Sequence, residues 1–183
     1  MTMVLMRALA DRGLVECIGA VATLAPSRAR ARLVRGTLDE LGLSEVPVAI
    51  GTDGGFTRYE ATFESTARSY IAPDDASFST QPGQDLLMEL YASAAPATVE
   101  LLVIASLKDA AEFLRGHEQL FKQKTRSVTI MGGVLPFEEN DDTLLLPDTA
   151  HNNQFCVESS DFFYVSQVPV LRVRSRRCVC VRY

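Results

Sequence analysis

The first part of the chain switches between helix-like and strand-like spacing of its apolar residues. Thr2–Asp11 carries apolar side chains at the spacing of a helix face, whereas Val15–Leu24 has the Val and Ile content of a buried strand. A second helix is predicted from Pro26-Ser27 to about Leu41, where Gly42 follows as a stop. Val46–Ile50 is a short second strand that runs directly into a glycine-rich turn.

The same alternation continues through the rest of the chain. The predicted elements are a helix over Gln84–Ala94, a strand over Val99–Ala105, a helix over Leu107–Arg115, a strand over Ser127–Met131, a helix over Val157–Tyr164 and a strand over Val168–Val173. Whether the helix from Leu107 ends at Arg115 or continues toward Phe121 is left open by the pattern. Repeated strand–helix order predicts an α/β fold with an open, mainly parallel sheet and helices on both faces.

Two polar, irregular stretches separate these elements, over residues 56–82 and about 134–155. Long loops of this kind in a compact domain are usually functional. In open parallel sheets, ligands bind outside the carboxyl ends of the strands. That rule selects the Gly51–Gly55 turn, the Ala105-Ser106 turn and the Met131–Gly133 turn with the loop behind it.

Charge argues against a nucleic-acid partner, because the formal net charge is −5. Four arginines at positions 28, 30, 32 and 35 fall on one amphipathic helix, which favours a solvated face over a binding patch. The acidic positions 138, 139, 141 and 142 lack the spacing of an EF-hand loop and are also expected to be solvated. Turn chemistry alone explains Asp53.

The cysteines and the apolar runs bear on location. None of the four cysteines forms a CxxC pair, and we expect reduced intracellular thiols. The longest apolar runs, such as Val99–Ala105, are far shorter than a membrane span. We therefore expect a cytoplasmic protein with no membrane partner.

Several strand ends, taken in order, resemble the inosine-uridine preferring nucleoside hydrolases. The matching segments are Leu5–Gly55, Leu102–Leu114, Val128–Gly133 with its Met-Gly-Gly strand end, and Pro147–Ser160. The resemblance extends to about Val170. It implies a nucleoside hydrolase-like fold and hydrolysis of the N-glycosidic bond of purine or pyrimidine ribonucleosides, with a bound calcium that grips the ribose hydroxyls and positions water.

The resemblance also identifies what this chain lacks. The family's aspartate cluster lies before the position that corresponds to residue 1, and its His-Asp pair lies beyond residue 183. Of the usual calcium ligands, a main-chain carbonyl near Ile104–Ala105 is retained, which cannot hold calcium alone. Residues 1–183 are thus expected to form a single, incomplete domain, truncated at both ends, with no catalytic or metal-binding residue assigned and no calcium bound.

Four residues are predicted to contact a nucleoside or another ribose-containing small molecule: Met131, His151, Asn152 and Asn153. The family's Glu-Phe-Asn ribose motif aligns on Ala150-His151-Asn152, so that the asparagine alone is retained. Each residue has an alternative role. The asparagines could cap the helix near Val157 or form Asx turns, His151 could be an ordinary loop histidine, and Met131 could fill core.

Two functional classes therefore stay open. The chain is either a relative of calcium-dependent hydrolases or a non-catalytic ligand-binding or assembly protein that reuses the fold, with a homo-oligomer possible in either case. The tail over 171–183 is atypical, since arginine alternates there with valine and cysteine, which predicts a strand with one basic face.

Overall fold

A computed structural model describes residues 2–55, 70–73, 81–136, 145–166, 171–174 and 179–181. Its helices are α1 (Thr2–Ala10), α2 (Ser27–Glu40), α3 (Gly83–Ser93), α4 (Lys108–Gly116), α5 (Glu118–Lys124), α6 (His151–Gln154) and α7 (Val157–Val165). Its strands are β1 (Ala20–Ala22), β2 (Val48–Ile50), β3 (Val99–Val103), β4 (Thr125–Met131), β5 (Leu171–Arg174) and β6 (Val179–Val181). The chain divides into two compact units: Met1–Asp53 with Thr57–Leu90, and Gly54–Phe56 with Tyr91–Tyr183.

The first unit is built on a parallel pair of strands. β1 pairs with β2 from Ala20–Val48 to Ala22–Ile50, and α2 packs against both strands. Ala31 and Leu38 on α2 are fully buried against Val48, and Val46 completes this small core. Apolar burial of this kind, at about 25 cal/mol per Å² of surface, is what holds a helix on a sheet.

Arg35 corrects the prediction of a solvated arginine face on α2. Its side chain is buried, with the residue 5% exposed. The guanidinium donates to the main-chain oxygens of Val46 at 2.6 Å and Leu43 at 2.9 Å, and to Asp39 Oδ1 at 2.9 Å. A buried charge is tolerated where every donor finds an acceptor, and here Arg35 ties the end of α2 to the segment that leads into β2.

The second unit contains a four-stranded sheet in the order β3-β4-β5-β6. β3, β4 and β5 are parallel, and β6 is antiparallel to β5. An aromatic cluster of Tyr91, Phe113, Phe121 and Phe163 fills the core, with Tyr91 and Phe121 stacked at a centroid distance of 5.5 Å. The Tyr91 hydroxyl is not left unpaired in this core, because it lies 3.3 Å from Thr125 Oγ1.

The α/β class with parallel sheets and helices is confirmed, but two predicted segments, the strand over Val15–Leu24 and the loop over 134–155, need correction. The strand expected over Val15–Leu24 pairs over Ala20–Ala22 alone, because its partner strand begins at Val48. The helix predicted over Leu107–Arg115 is observed and stops at Gly116, and the continuation that the sequence left open is a separate helix, α5, which begins after His117, whose backbone is non-helical at φ −141°. The loop over 134–155 contains helix α6.

Other predictions fall partly outside the described residues. Most of the 56–82 stretch and the acidic positions 138–142 are not described, and of the fifth strand the structure describes residues 171–174. The basic face predicted for the tail and the single-domain organisation stay predictions. Within the described ranges, no helix is long and apolar enough to cross a bilayer.

Candidate ligand-binding site

The candidate site lies in the second unit, where β3 and β4 end. Asn152, on the short helix α6, joins the two strand ends: its Nδ2 donates to the Met131 oxygen at 2.7 Å and to the Ile104 oxygen at 3.3 Å. Because both neighbouring atoms are carbonyl acceptors, the Asn152 side chain must point its NH₂ group, and not its oxygen, toward the two strand ends. Asn152 is partly exposed, and the residues that the structure describes donate no hydrogen bond to its Oδ1.

Asn153 has a different environment although it is the next residue. It is 1% exposed. Its Nδ2 donates to the Gly133 oxygen at 2.9 Å and to both the main-chain and side-chain oxygens of Asp148 at 3.2 Å. The Tyr164 hydroxyl donates to its Oδ1 at 3.2 Å. The Asn153 side chain is therefore saturated inside the loop, and this burial argues against the predicted direct contact with a ligand.

Asp148 and Tyr164 complete a buried polar network around Asn153. Asp148 Oδ1 accepts the Ala150 amide at 2.7 Å, which forms the Asx turn that begins α6. The pKa of Tyr164 is raised to about 12, mainly by burial and in part by the nearby Asp148 charge, while the hydrogen bond to Asn153 acts to lower it. Tyr164 is thus a neutral donor at physiological pH, which suits its role as the partner of the Asn153 oxygen.

Gly132 and Gly133 allow the loop to approach the end of β4. A Cβ on Gly132 would lie 2.7 Å from the Tyr164 hydroxyl and 2.8 Å from Asn153 Oδ1. A Cβ on Gly133 would lie 2.2 Å from Asp148 Oδ2. All three distances are shorter than van der Waals contact allows, so the glycine pair is needed for the polar network to pack against the strand.

The turn after β2 contributes a second glycine pair to the same unit. Ser106, buried at the end of β3, donates from Oγ to the Gly54 oxygen at 2.6 Å and accepts the Lys108 amide at 3.2 Å. Gly55 has φ +100°, and a Cβ there would lie 2.1 Å from the Phe155 oxygen. The structure therefore brings together parts of all three turns selected from the sequence, at the Gly54-Gly55, Ser106 and Met131–Gly133 positions.

Met131 and His151 are both exposed. Met131 is 51% exposed, which does not agree with the core-filling alternative. His151 lies edge-on to Phe155, with ring centroids 4.7 Å apart. The described residues at the surface of the site are thus Met131, His151 and Asn152. Cys156, and neither asparagine, occupies the N-cap of α7, so the capping alternative for the asparagines is wrong.

Sequence reasoning missed Asp148 and Tyr164. A signal was present for Asp148, because aspartate two residues before the N-cap of a helix is typical of an Asx turn. Tyr164 carried no such signal, since it contacts Asn153 from a position about two turns along helix α7.

The residues at this site do not fit the calcium ion that the family resemblance implies. Calcium takes six to eight oxygen ligands, usually including several carboxylates. Among the described residues, no group of three or more His, Cys, Asp or Glu side chains could hold a metal. The Ile104 oxygen, the retained family position, already accepts a hydrogen bond from Asn152, and an N–H donor repels a cation.

Comparison with solved structures identifies the fold. The type III effector protein XopQ, solved in a complex with adenosine diphosphate ribose, superposes with a TM-score of 0.81 at 29% sequence identity, over 96% of this chain and 51% of that one. The effector protein XOO4466 gives 0.80 at 28% identity, again over 96% of this chain and 51% of that one. This chain therefore spans about half the length of these two proteins.

Nucleoside hydrolases share the fold at lower identity. The purine-preferring ribonucleoside hydrolase from Gardnerella vaginalis superposes with a TM-score of 0.70 at 18% identity, over 95% of this chain and 56% of that one. No protein-family model matches the chain, and no curated protein sequence matches it. The resemblance predicted from the strand ends is confirmed by these superpositions: the chain has the α/β fold of the nucleoside hydrolases.

Proposed function

We propose that this chain binds a ribose-containing small molecule at the site formed by the ends of β3 and β4. The observation that carries the proposal is the fixed amide of Asn152, whose NH₂ is held by Met131 and Ile104. Its Oδ1 is then an acceptor of defined orientation. Ribose hydroxyls are donors, and a preoriented acceptor binds them with little loss of side-chain freedom.

The neighbouring side chains suit the remainder of a nucleoside or nucleotide. His151 offers an exposed ring that can stack on a base, and Met131 offers an adaptable apolar surface. We assign Asn153 a positioning role, because its buried hydrogen bonds to Asp148 and Gly133 fix the backbone that carries Asn152. The complex of XopQ with adenosine diphosphate ribose supports this class of ligand.

Binding is favoured over hydrolysis in this chain. Glycosidic hydrolysis needs a carboxylate to activate water and to stabilise an oxocarbenium-like transition state. The described carboxylate beside the site is Asp148, and its Oδ1 accepts hydrogen bonds from the Ala150 amide and from Asn153. It is therefore engaged in holding the loop.

Titration calorimetry with ADP-ribose tests the proposal. The Asn152→Ala variant should lose measurable affinity, since it removes both the acceptor and the clamp across the two strand ends. Gln154→Ala is the matched control, because Gln154 is exposed on the same helix. Equal affinity of wild type and Asn152→Ala would remove Asn152 from the site, and no binding by the wild type would end the proposal.

We further propose a cytoplasmic location and leave homo-oligomer formation as a prediction. Cys17 and Cys156 are free thiols, as expected of a reducing compartment, and burial raises the pKa of the Cys17 thiol.

β3 is an edge strand of the four-stranded sheet, which is the type of strand through which copies can pair. Light scattering on the purified chain measures its oligomeric state.

A further inference from the structure

The exposed ring of His151 at the candidate site lies against a second aromatic ring, that of Phe155. The two rings meet edge to face, with their centroids 4.7 Å apart and their planes at 71° to one another. His151 begins helix α6, and Phe155 is its C-cap residue, still in helical conformation at φ −62° and ψ −39°. Because the two residues are one helical turn apart, their side chains lie on the same side of that turn.

The main chain at Phe155 is held by contacts that its ring does not make. Its carbonyl oxygen faces Gly55, where a Cβ in place of a hydrogen would overlap it. On either side of Phe155 along the chain, the oxygens of Asn153 and Cys156 accept from the buried Ser160 hydroxyl at 2.9 and 3.1 Å. A change of the Phe155 side chain should therefore leave the backbone of this segment in place and alter the contact between the two rings.

We propose that Phe155 is a positioning residue that holds the His151 ring ready for a base, so that the site selects ribosides that carry a base over ribose without one. The inference rests on the proposed function, because it takes Asn152 as the contact to the ribose. An edge-to-face pair covers at most one face of a ring, and His151 is exposed. A ring that is fixed before binding loses less side-chain freedom when the ligand stacks on it.

Adenosine monophosphate (AMP) and the base-free ribose phosphate that corresponds to it are the probes, because they differ in the base alone. The wild type should bind AMP about five- to 150-fold more tightly, which is the usual contribution of stacking one base on a ring. Phe155→Leu removes the ring and keeps an apolar side chain. It should weaken AMP binding about two- to tenfold and leave the affinity for the ribose phosphate unchanged. Phe155→Tyr keeps the ring and should bind both probes as the wild type does.

A double-substitution cycle separates positioning from a general structural effect. If Phe155 acts through His151, adding Phe155→Leu to His151→Ala should cause no further loss of AMP affinity. Phe162→Leu is the matched control, because Phe162 is a half-buried ring of the same unit whose partner is the Arg115 guanidinium, 4.2 Å from the ring centroid. It should change neither affinity. Circular dichroism verifies that each variant is folded, and Phe155→Met serves where Phe155→Leu is not.

Calorimetric titration of the full chain measures these affinities. The inference is overturned by a wild type that shows no preference for AMP, by a Phe155→Leu protein that loses no AMP affinity or loses both probes equally, or by a further loss in the double variant. A titration of the wild type with ADP-ribose separates the two claims. Binding of ADP-ribose together with any of these results contradicts the inference alone, whereas absence of ADP-ribose binding contradicts the proposed function and the inference with it.

Discussion

The Tyr164 hydroxyl donates a hydrogen bond to Asn153 Oδ1 at 3.2 Å, inside a part of the second unit where Asn153 is 1% exposed. This contact connects helix α7 to the loop that presents Asn152. Buried polar groups are costly when a partner is removed, because the remaining atom is shielded from water. The site's geometry therefore depends on residues that do not meet the ligand.

Tyr164→Phe should lower the free energy of unfolding by about 1–3 kcal/mol, the cost of leaving a buried acceptor unpaired. Urea denaturation measures this quantity. Tyr70→Phe is the control, since Tyr70 is 62% exposed and should give no change. A Tyr164→Phe protein as stable as wild type would show that the hydrogen bond to Asn153 contributes nothing.

Two tyrosines should make stability fall at alkaline pH. Burial raises the pKa of Tyr91 and of Tyr164 to about 12, while an unfolded tyrosine titrates near about 10. Between these values the unfolded chain releases protons that the folded chain keeps, so unfolding is favoured as pH rises. Their contribution is complete below pH 10 and is lost as pH approaches 12. Denaturation at several pH values should show a smaller decline in Tyr164→Phe, and an identical decline would contradict the assignment.

Gly133→Ala should destabilise the second unit and abolish ligand binding. The new Cβ would lie 2.2 Å from Asp148 Oδ2, which forces the carboxylate away from Ala150 and Asn153. Gly116→Ala is the matched control, because a Cβ there meets no atom within 4 Å and helices prefer alanine by about 0.5–1 kcal/mol. Thermal unfolding should give a lower Tm for Gly133→Ala and an equal or higher Tm for Gly116→Ala. The reverse order would contradict this packing.

Arg35→Met should destabilise the first unit by roughly 3 kcal/mol, since hydrogen bonds to a charged group contribute about 1.5–3 kcal/mol. The substitution leaves the Val46 and Leu43 oxygens without their donor. Arg12→Met replaces an exposed arginine and should change stability by less than about 0.5 kcal/mol. Similar unfolding curves for the two variants would show that the Arg35 hydrogen bonds contribute little to stability, as expected of a solvated arginine.

The sequence predicted the order of helices and strands because their periodicity is local. Burial of Arg35 was not predictable in this way, since it depends on carbonyls of the segment after α2 that helix periodicity ignores. The end of the helix from Leu107 was left open for a related reason, because the residues on either side of His117 both favour helix.

The same distinction applies to the candidate site. The turns that form it were selected by the rule for strand ends, and Asn152 lies there. Asn152 and Asn153 have identical chemistry, however, and successive helix positions differ by about 100° in direction. Which asparagine faces the ligand and which is buried depends on the register of α6, a helix of four residues that sequence patterns do not resolve.

A crystal structure of the chain with ADP-ribose would show which residues contact the ligand. We expect the ribose within hydrogen-bond distance of Asn152 Oδ1, with His151 and Met131 in contact with the ligand and the Asn152 amide still bonded to the Met131 oxygen. A ligand bound away from the ends of β3 and β4, or a ribose that makes no contact with Asn152, would contradict this expectation.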